Sequence, residues 1–346
     1  MKLKKKRMQL KERFVCGKSL DELFEEALDR ETYYSDFVYH SGNADRFLLH
    51  NNSVVLARGE ENLSFSSHSM SQMCSKLGVP YQYIDKCLKF GEGSLATENL
   101  NRWLALYDRD MFIRLSDGDR IRGVLSTKYS VLDTKDVLSC LRGTGIASHD
   151  YSIQGYCMND ERLSIRFVKD EVIPSPDGEE LYPAFTVDSS DVGRSCLSVY
   201  FTLFRKVCSN GLCFPVSDFC IYKQKHIGIR EEEFAYAIRD LTDRVSSMAV
   251  SVSGLITRCG NANSPVLHFG GMDEDARRIR ELKGGSALTK TESESVVGVL
   301  EKGIIGHVYK NNLWGVINSI TEYAQTRELD RRLELENIAG RIMLSA

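Results

Sequence analysis

The chain has 346 residues, 42% hydrophobic and 27% charged, the composition of a globular protein with room for one large or two ordinary domains. Its formal charge of −3 excludes coating of nucleic acid by bulk charge, because non-specific binding rests on Lys and Arg neutralising phosphates. No stretch approaches the roughly 20 apolar residues of a membrane span, and the start lacks the apolar core of an export signal, so a cytoplasmic protein with no membrane partner is expected.

In chain order, residues 1–18 read as a basic tail: Lys2, Lys4, Lys5, Lys6, Arg7, Lys11 and Arg13 stand against one acid, Glu12. Such a tail either tracks phosphates or solubilises the chain. Residues 19–105 read as mainly helical. Ser19 and Glu22 have capping-box spacing before an apolar face of Leu20, Leu23, Phe24, Ala27 and Leu28. A helical hairpin follows, with Met70, Met73, Cys74 and Leu77 inward, a stop at Gly78, and Pro80 opening a second helix through Tyr83, Ile84, Cys87 and Leu88. Its second helix offers only Gln82, Asp85, Lys86 and Lys89 to solvent, which suits packing better than reading of DNA bases.

Residues 106–230 read as an antiparallel β-rich core with a helix. Phe112 to Leu115 and Ile121 to Leu125 alternate around Asp117-Gly118, and Tyr129 to Leu141 looks helical. Further strands are expected at Tyr151 to Cys157, Leu163 to Val168, Ser195 to Cys208 and Leu212 to Val216, with Phe219 to Tyr222 as an edge. Residues 231–346 read as helical. Phe234, Ile238, Leu241, Val245, Met248, Val252 and Leu255 form a seam behind Glu231, Glu232 and Glu233, and one last helix runs from Asn311 to about Leu344. Gly284-Gly285-Ser286 reads as a flexible joint between them. The seven-residue rhythm of the seam suits either an internal core or pairing between subunits, and a homo-oligomer is expected. The fold class is therefore α+β, an antiparallel sheet with packed helices.

Chemical motifs stop short of completion. Gly17-Lys18-Ser19 would need its first P-loop glycine at Glu12, and Gly143 and Gly145 follow a helix where a dinucleotide loop follows a strand. Cys208, Cys213, Cys220 and His226 lack the tight pair of a structural zinc site. The ten cysteines read as buried or free thiols. Asp188, Asp191, Glu179 and Glu180 could hold magnesium for phosphoester cleavage, but no second acidic cluster accompanies them. The seven histidines form no pair at helical spacing. No catalytic residue, cofactor or metal is assigned.

Several stretches are similar to a known pattern: His68 to Leu88, Asn99-Leu100-Asn101 with Trp103-Leu104, Phe112 to Leu138 around Arg120-Ile121-Arg122-Gly123, and Phe185 to Phe214 with its Ser189-Ser190-Asp191-Val192-Gly193 turn. Asn312-Leu313-Trp314 and Ile320 to Ala324 also fit. The chain resembles domain-of-unknown-function family 932, found in phages, plasmids and prophage islands. Gly123 stands where such proteins usually carry alanine. The resemblance implies a mobile-element origin in a bacterial host and an architecture, not a reaction.

The expected run of hairpins, long strand and long helix is similar to the core of single-strand annealing proteins. On that analogy Arg114, Arg120, Arg122, Lys128, Arg166, Arg194, Arg205 and Lys206 would line a groove for single-stranded DNA, with Tyr129, Tyr200 and Phe204 for stacking. Alternation would put Arg120 and Arg122 on one outward strand face. The alternative is a non-enzymatic interaction protein that counters or regulates a host defence system and binds a host protein.

Overall fold

The computed structural model describes residues 14–146, 150–174, 178, 180–205, 210–213, 220–261, 271–302 and 309–345. The basic tail to Arg13, Lys206, Cys208, Glu179, His149, His268 and His307 lie outside the described residues, as do the side chains of Cys213 and Cys220.

Helix α1 (Leu20–Glu31) starts on the expected capping box: Ser19 Oγ accepts from the Glu22 N–H, and the Glu22 carboxylate accepts from the Ser19 N–H. The chain then forms strands β1 (Tyr34–Tyr39), β2 (Arg46–His50), β3 (Ser53–Arg58) and β4 (Glu61–Phe65) in a region read as mainly helical. These strands are only five or six residues long. Their reversals include Asn51-Asn52, both at positive φ, which closes β2 on β3. The expected hairpin follows as α2 (Ser67–Leu77) and α3 (Tyr81–Lys89), with Gly78 in the left-handed region (φ 70°) between them. Helix α4 (Gly93–Leu106) leads to β5 (Met111–Ser116) and β6 (Arg120–Ser126).

These six strands form one sheet in the order β1-β5-β6-β4-β3-β2, antiparallel except for the parallel pair β4 and β6. The fold is the expected α+β arrangement of sheet and packed helices, with the strands divided between two sheets, and β5 and β6 belong with β1 to β4 rather than with the strands that follow. One core of Phe47, Leu56, Met73, Ile84, Leu100 and Ile113, among others, joins this sheet to α2, α3 and α4. Strand β2 is its border. There the Asn101 carboxamide of α4 accepts from the Phe47 N–H (2.6 Å) and donates to the Phe47 carbonyl (2.9 Å).

Helix α5 (Thr134–Gly143) precedes the second sheet: β7 (Tyr151–Met158), β8 (Leu163–Lys169), β9 (Ile173–Pro174), β10 (Glu180–Ser189), β11 (Leu197–Arg205), β12 (Asn210–Cys213) and β13 (Cys220–Gln224). Its main order is β12-β11-β10-β8-β7, with β13 on β11 and β9 on β10, all antiparallel. Strand β10 is central yet holds Pro183, which has no N–H to give a ladder. On that flank β10 pairs with β9 through Leu181 and with β8 from Ala184 onward, so Pro183 falls in the gap.

Alternation along β8, β10 and β11 turns Ile165, Phe167, Phe185, Val187, Val199 and Phe201 to one face, against helix α6 (Glu231–Gly260). The α6 seam from Phe234 to Val252 is buried in this core, so its rhythm is explained within the chain. Helices α7 (Met272–Glu281), α8 (Lys290–Lys302), α9 (Leu313–Ala324) and α10 (Leu329–Leu344) extend the same core. The single last helix expected from Asn311 is broken at 325–328, where Glu328 turns extended (ψ 154°). Nor is Gly284-Gly285 a free joint. A methyl on Gly285 would lie 2.2 Å from the Ile279 carbonyl, and one on Gly284 3.0 Å from Arg341 Cβ, so both glycines allow close packing. Among the described residues no helix is long and apolar enough to cross a membrane.

Candidate functional site

The turn between β10 and β11, Ser190 to Cys196, docks on the first sheet. Val192 sits against Gly123, where an added methyl would come within 3.0 Å of its side chain. The Val192 carbonyl accepts from Gln72 Nε2 (2.8 Å), while Gln72 Oε1 accepts from the Val124 N–H (2.8 Å), so one carboxamide ties the turn to β6. Gly193 takes φ 71°, a left-handed conformation that explains glycine in the motif.

Two arginines from the first sheet meet this turn. Arg114, 1% exposed, gives paired hydrogen bonds to Asp36 (both 3.1 Å) and to Asp133 (2.6 and 2.9 Å), and a fifth to the Asp191 carbonyl (2.9 Å). Burial disfavours its charge, but the bonds to Asp133 and Asp36 outweigh this and hold it protonated. Arg122, also 1% exposed, donates to the Asp160 carbonyl (2.9 Å) and to Asp191 (3.3 Å) and stacks 3.8 Å over the Tyr34 ring. The ladder explains its orientation: Arg114 pairs with Gly123 and Leu115 with Ile121, leaving Arg122 as a β-bulge. Strict alternation therefore fails, and the outward placement expected for Arg122 is corrected.

Asp191 completes the junction by accepting from Thr134 Oγ1 (3.0 Å). Burial first, and then the Asp133 charge, push its carboxyl up to about 6 against the pull of Arg122 and Arg114. Tyr129 donates to the Ser190 carbonyl (2.9 Å) and stacks on His226, with centroids 5.1 Å apart and planes 7° from parallel. Burial and the nearby Arg114 push His226 down to about 4. Tyr129 is thus engaged with the fold rather than offered to a base.

The remaining candidates lie elsewhere. Arg166, 2% exposed, pairs with Glu336 of α10 (2.6 Å), which also accepts from Arg332 Nε (3.1 Å). Arg205, 3% exposed, donates to Tyr309 Oη (2.6 Å), and Tyr309 in turn donates to Glu322. Arg166 shares its sheet face with Thr186, and Arg205 shares the opposite face with Leu181, so the two cannot line one groove. Arg194 bridges Glu161 (3.0 Å) and Asp330 (2.7 Å), and Arg162 bridges Asp188 (2.7 Å) and the same Asp330. Phe204 is buried and Tyr200 half-buried. Arg120, half-buried, and Lys128, exposed, form no ion pair with the described residues. Asp188 and Asp191, the candidates for magnesium, point into separate arginine clusters.

The expected cationic groove is therefore corrected for Arg114, Arg122, Arg166, Arg194 and Arg205. The structure brings Arg114, Arg122 and Tyr129 together, but as an internal clasp between two sheets. Sequence reasoning missed their partners Asp36, Asp133, Asp160, Asp330 and Glu336. The available signal was the near equality of acids and bases, 48 against 45, which gives almost every cation an anion to meet.

A family model described as "Domain of unknown function (DUF932)" matches residues 122–258. The chain carries a DUF932 domain. The match runs from β6 to α6 and contains Arg122, Asp133, Tyr129, the Ser190 to Gly193 turn and His226, so most of the junction lies inside the DUF932 domain. The motifs quoted at His68 to Leu88, Asn99 to Leu104 and Asn312 to Ala324 lie outside it. No curated protein and no solved structure matches the chain.

Proposed function

We propose that the chain acts by binding another protein, and that the outward face of α3 and α4 is the contact surface. The observation that carries this reading is a concentration of exposed apolar side chains there: Tyr83, Phe90, Leu95, Trp103 and Leu106, with Phe90 and Leu106 each 74% exposed. Leu95, Asn99, Trp103 and Leu106 recur at steps of four, four and three, so they share one side of α4, while Ala96, Leu100 and Leu104 face the core. Asn99 Nδ2 donates to Tyr83 Oη (3.1 Å), which brings α3 against the same stripe. The flanking charges are already matched, Lys89 with Asp85 and Arg102 with Glu98. An apolar centre with a neutral rim fits the apolar face of a helix from a partner, anchored on Trp103. The interaction protein that counters or regulates a host system belongs to this class.

Single-strand DNA binding draws less support, because phosphates would have to displace Asp36, Asp133, Asp191 and Glu336 from buried arginines. The two readings separate in a paired experiment. Wild type and a Trp103→Ala, Leu106→Glu variant are compared for capture of a partner, which is then purified and titrated against both. At least about tenfold weaker binding by a variant of unchanged thermal stability is expected, since one central anchor is worth 2 kcal/mol or more, about. Equal affinity for both proteins overturns the surface. Salt-sensitive binding of single-stranded DNA, unaffected by the variant, overturns the class of partner. Dimers dissolved by the same variant would make the occupant a second copy.

A further inference from the structure

The face of the second sheet turned away from α6 is divided. At one end α10 covers it, through Arg166, Arg162 and their carboxylates. At the other end a cavity of about 310 Å³ opens between the starts of β7 and β10 and the ends of β8 and β11. That volume lies at the lower end of sites for small ligands, about 300–1,000 Å³. Tyr182 and Phe204, directly opposite each other in the β10–β11 register, line it with Val168. Ser152 and Gln154 of β7 add two short polar groups.

Among the described residues, the charge around this aromatic lining that lacks an opposite partner has one sign. Asp150 and Asp170 line the cavity and are brought side by side by the bond from the Asp170 N–H to the Asp150 carbonyl (2.9 Å). Glu180 accepts from the Tyr182 hydroxyl (2.6 Å). Lys169, which also lines the cavity, is paired with Glu171 and donates to Ser246 of α6. Among the described residues Asp150, Asp170 and Glu180 have no cationic partner. The Tyr182 phenol is pushed up by its bond to Glu180, then by burial and by the charges of Glu180 and Asp170.

Two aromatic side chains in a concave site ringed by carboxylates attract an organic cation through the ring quadrupole and the surrounding negative charge together. We propose that this cavity binds an alkylammonium group. The shared chemistry has two sources, a free small amine or the lysine side chain of a polypeptide. Neither the arginine clasp nor the α3–α4 face takes part, so the site stands apart from the proposed protein contact.

The test uses the full chain and three probes: n-butylammonium, a capped tripeptide with a central lysine, and n-butanol as the uncharged counterpart. Binding is followed by ligand-observed NMR and calorimetric titration at two salt concentrations. Saturable binding of at least one amine, weakened by salt and absent for butanol, is expected. Stronger binding of the peptide assigns the cation to a polypeptide, and equal or stronger binding of butylammonium assigns it to a small molecule. An Asp150→Asn, Asp170→Asn variant, changed only at exposed positions, should lose about fivefold or more in affinity. Phe204→Leu should lose a similar factor, and if that buried change prevents folding the aspartate pair decides alone. Butanol binding as well as butylammonium, no saturable binding of either amine, or full affinity in the aspartate variant overturns the proposal.

Discussion

Two of the buried arginine clusters are charge mirror images. Between the sheets, one guanidinium, Arg114, serves two carboxylates, Asp36 and Asp133, with Asp191 close by. Beneath α10, one carboxylate, Glu336, serves two guanidiniums, Arg166 and Arg332. A carboxylate-rich cluster can relieve its excess by taking up a proton near neutral pH, whereas guanidiniums stay charged at any pH a protein survives. The first contact is therefore adjustable and the second is fixed.

The sharpest break of this comparison is Glu336→Ala. It leaves Arg166 and Arg332 buried without their shared partner, and a loss of about 3–5 kcal/mol in denaturant unfolding is expected. A loss below about 1 kcal/mol would mean that solvent reaches this cluster and that the two are not mirror images. Arg114→Met should cost less, about 2–4 kcal/mol, because Asp36 keeps 28% of its side chain exposed and Asp191, already raised to about 6, can take up a proton when the neighbouring cation is lost. Its deficit relative to wild type should shrink as pH falls from 7 to 5, which no Glu336 variant should do. A deficit that is constant with pH would count against the adjustable contact.

Asp191 and His226 give a finer test, because their shifts oppose each other. Asp191, raised to about 6, holds a proton in the folded state that the unfolded chain releases, so its contribution to stability falls as pH rises through about 4 to 6. His226, lowered to about 4, must stay neutral to remain buried, so its contribution falls as pH drops from about 6.5 to 4. In wild type the two slopes offset one another. Asp191→Asn should expose the His226 slope, a loss of up to about 1.4 kcal/mol per unit on acidification, and His226→Phe the reverse. Parallel stability curves for the two variants between pH 4 and 6.5 would rule out this balance. The smallest effect expected is at Gly123. Gly123→Ala presses a methyl on Val192, and adding Val192→Ala should recover at least about 0.5 kcal/mol of the combined cost in a double-mutant cycle.

How far the sequence could be read follows from where its signals are local. The α6 seam, the α2–α3 hairpin and the β5–β6 and β7–β8 pairs carry their periodicity or turn residues within a few positions. Strands β1 to β4 are short, and the single parallel link from β4 to β6 joins residues more than fifty positions apart, which no local pattern announces. Pro183 hid β10, because its tolerance depends on where β8 and β9 stop pairing. The arginines were visible as residues, but their burial was not. Arg122 faces inward through a bulge that needs its partner strand to exist, and Arg166 meets Glu336 across 170 positions.

Asn101 gives the first sheet a border of its own making. By occupying both main-chain groups of Phe47, its carboxamide stands where the backbone of one more strand would run, so the ladder terminates inside the molecule. Another polypeptide approaching β2 in extended form meets a seat already taken. Addition of a strand on the β2 side is therefore blocked at its first rung, a constraint that Asn101 does not extend to β1, the opposite border of the sheet.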